Sequence, residues 1–196
     1  FRRVLFRSEV EYKVGRRHKL TGDGLRAWSM GLYGKGSERR MAFSDYDKRQ
    51  VIVVNMESGE KVASVGSKGE GPGQFNCPTG VAYSRTGELY VSDSVLHRIL
   101  VFDREGGYVR GIGERGSGQG QLSCPLGLCF TADGNLVVAD RGNNRVQVFR
   151  EDGTFVRAFG SRGSGEGQFM NPQVVNVGPD GSIAVLDFGG NRRVQV

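Results

Sequence analysis

The 196-residue chain contains no apolar run of the roughly 18 residues a membrane-spanning helix needs, which excludes that class and any membrane partner through it. Proline is scarce, at 5 residues, against 32 glycines. That balance excludes collagen-like and proline-rich disordered chains and points to a fold with many tight turns. The three cysteines, Cys77, Cys124 and Cys129, form no CxxC pair, and His18 and His97 are the only histidines. The usual zinc motifs are therefore absent, and no metal or other cofactor is expected. Cys77 and Cys124 stand at equivalent places of a repeat, positions too far apart for a disulfide. Reduced, buried thiols of a cytoplasmic protein are the expectation.

A one-signed charge distribution is also missing where it would matter. The formal net charge is +6, yet all of it resides in residues 1–65, with 14 basic and 8 acidic side chains. Residues 66–196 carry 13 of each sign. A bulk affinity for polyanions does not follow from the pI. Phe1 begins the sequence, and "FRRVLFRS" (1–8) resembles the in-frame translation of a sequencing adapter. This stretch is read as a scar outside the fold, and residues 9–24 fit no element of the pattern below.

What the sequence does have is a period. "GEGPGQFNCPTG", "GSGQGQLSCPLG" and "GSGEGQFMNPQV" recur every 47 residues. Gly73, Gly120 and Gly167 align, then Pro78, Pro125 and Pro172, and then Asp93, Asp140 and Asp187. The third copy has one extra residue, in "FGGNRR". A fourth, weaker copy covers "RRMAFSDYDKRQVIVVNMESGEKVASVG" (39–66), with Asp45 at the aspartate position and "LRAWSMGLYG" (25–34) before it. Such periodicity marks a repeat architecture.

Each unit contains four short β-branched or aromatic runs, for example "GVAYS", "ELYVS", "RILVF" and "YVRGI", separated by glycine-bearing turns. The fold expected is an all-β propeller with four-stranded antiparallel blades at about 25–66, 67–113, 114–160 and 161–196. The third copy ends within its third strand, at Val196. About four blades of an expected six are therefore read, since six would need roughly 280 residues. Val81, Tyr83, Leu89, Val91, Val101, Leu128, Phe130, Val137, Val148 and Val185 are the core expected between packed sheets.

G-x-G-Q-F-x-x-P-x-G-V-A, then G-x-L-Y-V-x-D, then N-x-R-V-Q-V-F together resemble the NHL repeat family. The resemblance covers residues 66–196 closely and 25–65 loosely. It implies a six-bladed propeller that acts as a platform for proteins or single-stranded RNA, as in the tripartite-motif ubiquitin ligases. Other relatives are bacterial or extracellular sensor domains and a metal-dependent amidating lyase. The lyase needs a histidine-rich metal site, which two histidines do not supply. RNA-binding members often carry a basic or aromatic residue before the strand-one proline, where this chain has Cys77, Cys124 and Asn171.

Asp93, Asp140 and Asp187, with Arg98 and Arg145 across a short loop, are expected to close that loop by pairing and by accepting loop amides. Their recurrence in successive blades points to scaffold and not to catalysis. His97 follows Asp93 by four residues, but no serine or cysteine is placed as a nucleophile. No catalytic residue is assigned.

In an up-and-down blade, the entry loop and the loop from strand two to strand three share one face. Sorted on that rule, residues 66–196 give this face a net charge of +2 and the opposite face −4. Lys68, Arg115 and Arg162 recur every 47 residues and should form an arc on the basic face, with Arg141, Arg192 and Arg193 nearby. With Asn143, Asn144 and His97, these are the candidate residues for contacting a protein or single-stranded RNA. The glycine-rich entry loop resembles a phosphate cradle, but it leads into a strand. The helix N-terminus that would hold a phosphate is missing.

Overall fold

The structure, a computed structural model, describes residues 9–14, 16–21 and 27–196. The adapter-like stretch 1–8 lies outside these residues. Glu9–Val14 and Arg16–Thr21 pair as an antiparallel hairpin in the stretch for which the repeat gave no assignment.

The repeat becomes a set of antiparallel sheets. Blade one comprises Ala27–Tyr33, Arg40–Asp45, Gln50–Asn55 and Lys61–Val65. Blade two comprises Pro78–Tyr83, Leu89–Asp93, Arg98–Phe102 and Tyr108–Ile112. Blade three comprises Pro125–Phe130, Leu136–Asp140, Arg145–Phe149 and Phe155–Phe159. Blade four contributes Pro172–Val177, Ile183–Asp187 and Arg193–Gln195. Within each blade the strands follow sequence order, as short hairpin turns require. Helix is limited, among the described residues, to two short 3-10 turns.

Successive side chains point to opposite faces of a strand, and apolar ones stand on both, so each sheet packs against the next. The three cores accordingly lie between blades. Val51, Val53, Phe75, Val81 and Val91 fill the first seam. Tyr90, Ile99, Leu122, Leu136 and Phe149 fill the second, and Val137, Val146, Phe169, Val175 and Val185 the third. Of the core expected from sequence, Tyr83 and Phe130 are only half-buried, because they stand at the ends of first strands; the other eight are buried.

The first strand of every blade is a sheet edge, and these edges line a common groove of about 490 Å³. Unpaired edge backbone invites pairing with other chains. Here neighbouring blades cover it. The Ser44 hydroxyl donates to the Thr79 carbonyl at 2.7 Å, and the Ser92 hydroxyl to the Leu126 carbonyl at 2.6 Å. Such closeness requires a small residue. A Cβ on Gly80 would collide with the Leu126 carbonyl oxygen and lie 2.9 Å from Ser92 Oγ.

A candidate ligand-binding face

The aspartates that end the second strands are fully buried. Asp93 accepts the backbone N–H groups of Asn76 at 2.7 Å and Cys77 at 3.1 Å, and also those of Val95 and Leu96. Asp140 accepts from Ser123 N–H at 2.7 Å and Asn143 Nδ2 at 2.8 Å. Its Oδ2 also takes Arg145 Nε at 2.8 Å and Gln147 Nε2 at 3.0 Å. Asp187 accepts from Met170 N–H at 2.9 Å and from Asn191 Nδ2 at 2.6 Å. Each carboxylate thereby ties the second-to-third loop to the entry loop, which brings both loops to one face.

The arginine that opens the third strand of blades two, three and four acts differently from one blade to the next. Arg145 pairs with Asp140 and also donates through Nη2 to the Gly118 and Gln121 carbonyls. Arg98 uses Nη2 for the Glu70, Gly71 and Gln74 carbonyls, and Arg193 holds Gly165 and Gln168 in the same way. Gln74, Gln121 and Gln168 complete the clamp by accepting the N–H of Gly71, Gly118 and Gly165, each at 3.0 Å. The glycine-rich loop therefore folds around its own glutamine. Arg193 is part of this clamp and not of the open arc.

Sequence reasoning did not reveal a second series. Arg49, His97, Asn144 and Arg192 all adopt left-handed backbone, with φ of 54°, 56°, 52° and 46°. The first three reach across the seam into the next blade. Arg49 Nη1 donates to Asn76 Oδ1 at 2.9 Å. His97 Nδ1 accepts the Cys124 N–H at 2.9 Å, and Asn144 Oδ1 accepts the Asn171 N–H at 3.1 Å. Asn143 stays within its blade, bonded to the Gly116 carbonyl and Asp140. The bond to Nδ1 requires a neutral ring that carries its proton on Nε2. Burial, and then the Arg115 charge, hold the His97 pKa below its ordinary value, with Asp93 and Asp140 opposing.

Lys68, Arg115 and Arg162 are exposed, and each is anchored by a short parallel bridge within its entry loop. The pairs are Lys68 with Phe75, Arg115 with Leu122 and Arg162 with Phe169. Phe75, Leu122 and Phe169 plug the seams, so the three cations ride on rigid backbone. At the seam between blades three and four the loops leave an open hollow of about 510 Å³. Arg141, Asn144 and Arg162 line it, with Cys124, Met170 and Asn171. Arg141 Nε donates to Asn171 Oδ1. Arg192 is exposed beyond this hollow.

The opposite face carries an interblade network that the sequence did not announce. Arg110 forms a bidentate pair with Glu88 at 3.1 and 3.0 Å, and its Nη2 donates to Tyr90 Oη at 2.6 Å and to the Glu151 carbonyl at 2.7 Å. Its hydrogen bonds to Arg110 come first among the influences that hold the Glu88 carboxyl below the usual carboxylate range. Burial pushes the Cys129 thiol up to about 12 and also raises that of Cys77. Among the described residues, no cluster of three or more His, Cys, Asp and Glu side chains is placed to hold a metal ion. No described helix is long and apolar enough to cross a membrane.

No curated protein sequence matches the chain. Solved structures do match in fold. The nidogen/laminin complex is similar with a TM-score of 0.71 and 18% identity, over 91% of this chain and 63% of that one. Virginiamycin B lyase from Staphylococcus aureus with quinupristin gives 0.69 and 14%, over 97% and 63%. Hydrazine synthase from Kuenenia stuttgartiensis gives 0.63 and 18%, over 81% and 41%. The chain thus spans less than two thirds of each of these relatives. The NHL repeat profile matches residues 75–102 and 122–149, the bodies of blades two and three. The described residues form four β-propeller blades, and the second and third of them match the NHL repeat.

Proposed function

We propose that the chain is a non-catalytic binding module that takes a protein segment on its loop-rich face. The observation that carries this reading is the arc of exposed Lys68, Arg115 and Arg162, each held on clamped backbone at the same place of its blade. Rigid presentation of polar anchors lowers the ordering cost of association. Each of these entry loops also carries an exposed acid, Glu70, Glu114 or Glu166. That mixture suits a protein of mixed charge better than a single-stranded RNA, which brings one negative charge per nucleotide past every acid. Within a ubiquitin ligase of the tripartite-motif type, such a face would select the substrate.

The test pans a random peptide library against the chain and counter-screens with a variant carrying Arg115→Glu, Arg141→Glu and Arg162→Glu. Enriched peptides should bind the native chain and lose affinity at least tenfold for the variant. Equal binding to both proteins would overturn the reading. So would tight, strongly salt-dependent binding of poly(U) with no peptide enrichment.

A further inference from the structure

The hollow between blades three and four departs from the repeat. From the buried aspartate to the left-handed residue, the loop spans Asp45 to Arg49, Asp93 to His97 and Asp140 to Asn144. In blade four it runs from Asp187 to Arg192, one residue longer, and contains Gly189 and Gly190. A Cβ on Gly189 would collide with the Met170 carbonyl oxygen, and one on Gly190 would press on the Met170 thioether at 3.1–3.2 Å. The two glycines thus form a side-chain-free wall, and the space beside it stays open.

Two guanidinium groups border that space, and no acidic side chain lines it. Asp140 and Asp187, the acids nearest in sequence, are buried and saturated by the bonds described above. The Arg141 bond to Asn171 engages Nε, fixes the side chain, and leaves both terminal nitrogens for a ligand. At the preceding seam the places of Arg141 and Arg162 are taken by Ser94 and Arg115, and at the first seam by Tyr46 and Lys68. Among the described seams, the last alone pairs two arginines about one hollow.

We infer that this hollow receives a phosphomonoester carried by a protein segment, a phosphoserine or phosphothreonine; the inference rests on the binding-module reading. A phosphomonoester carries a charge of about −1.5 to −2 at neutral pH, which two guanidiniums match, and its oxygens fit the bidentate fork of arginine. A backbone phosphodiester carries one charge only. A strand of them would have to pass Glu114 and Glu166, both exposed on the same face. The Met170 and Cys124 side chains give the alkyl part of the residue an apolar contact.

Met170 supplies the reporter, because the other methionines, Met30, Met41 and Met56, lie in blade one. The full chain is labelled with 13C-methyl methionine and titrated with N-acetyl-phosphoserine N-methylamide, its unphosphorylated counterpart and adenosine monophosphate. The phosphoserine compound should shift the Met170 methyl saturably, and the unphosphorylated compound should leave it in place. Arg141→Ala and Arg162→Ala should each weaken that binding about tenfold or more, with Arg150→Ala, an exposed arginine of a distal hairpin turn, unchanged. Unmoved Met41 and Met56 resonances show that each variant is folded. No Met170 shift, an equal shift with the unphosphorylated compound, or tighter binding of the nucleotide would each overturn the inference. Normal binding of library peptides alongside any of those results overturns the phosphate site alone and leaves the binding module standing.

Discussion

Gly80→Ala is the sharpest probe of the seam geometry. The added methyl collides with the Leu126 carbonyl oxygen and stands 3.0 Å from its carbon and 2.9 Å from Ser92 Oγ. Two of these neighbours are backbone atoms, so no flexible side chain can swing away. Overpacking of this kind costs about 1–3 kcal/mol. Relieving these contacts also strains two buried hydrogen bonds, Ser92 Oγ to the Leu126 carbonyl across the seam at 2.6 Å and Gly80 N–H to Ser92 Oγ within blade two at 2.7 Å. Each contributes roughly 1 kcal/mol net, which brings the expected loss to about 3–5 kcal/mol. Chemical denaturation should show a lowered midpoint with an unchanged slope, and thermal melting a fall of roughly 5–20 °C. Gly134→Ala is the control, because a Cβ there meets nothing within 4 Å and only its positive φ opposes the change. A Gly80→Ala protein within about 0.5 kcal/mol of the native one would refute the close-approach reasoning.

Two further outcomes follow from the face itself. Asp140→Ala leaves Arg145, Gln147, Asn143 and the Ser123 N–H without their shared acceptor, and urea denaturation should show a loss of about 3–5 kcal/mol; a loss below about 1 kcal/mol would contradict the assignment. His97, whose folded pKa lies below the unfolded value of about 6.5, contributes stability that is present above that pH and is lost as pH falls through the folded value. Melting temperatures across this range should fall less steeply in His97→Asn, since an asparagine oxygen accepts the same N–H without titrating, as Asn144 does one blade on; identical slopes would rule the clasp out.

The sequence exposed whatever repeats within one unit. Strands, turns, the buried aspartates and the entry-loop glycines recur at a fixed spacing, and an alignment of the chain with itself reveals them. Relations between units stay hidden. His97 bonds to Cys124 and Asn144 to Asn171, partners 27 residues apart in sequence, and no shared chemistry links the residue types involved. The aspartate–arginine pairing shows the same limit. It is an ion pair in blade three, whereas Arg98 and Arg193 direct their terminal nitrogens to carbonyls of the glycine loop. The extra residue of blade four is visible as "FGGNRR", but its effect depends on Met170 in the facing loop.

The left-handed residues that reach into the following blade separate the unit of sequence from the unit of cohesion. A blade as read along the chain leaves its last loop fastened to its successor, so the segment that holds together straddles the boundary between repeats. Cutting or permuting the chain at a blade junction such as Gly113–Arg115 would sever the bridged entry loop, and with it the ties that His97 and Asn143 make to that loop. A new terminus at a distal turn such as Gly153, closed by local hairpin bonds of Arg150 with Gly153 and Thr154, would leave those ties intact. Shuffled or excised repeats of this protein should therefore be framed from turn to turn and not from blade to blade.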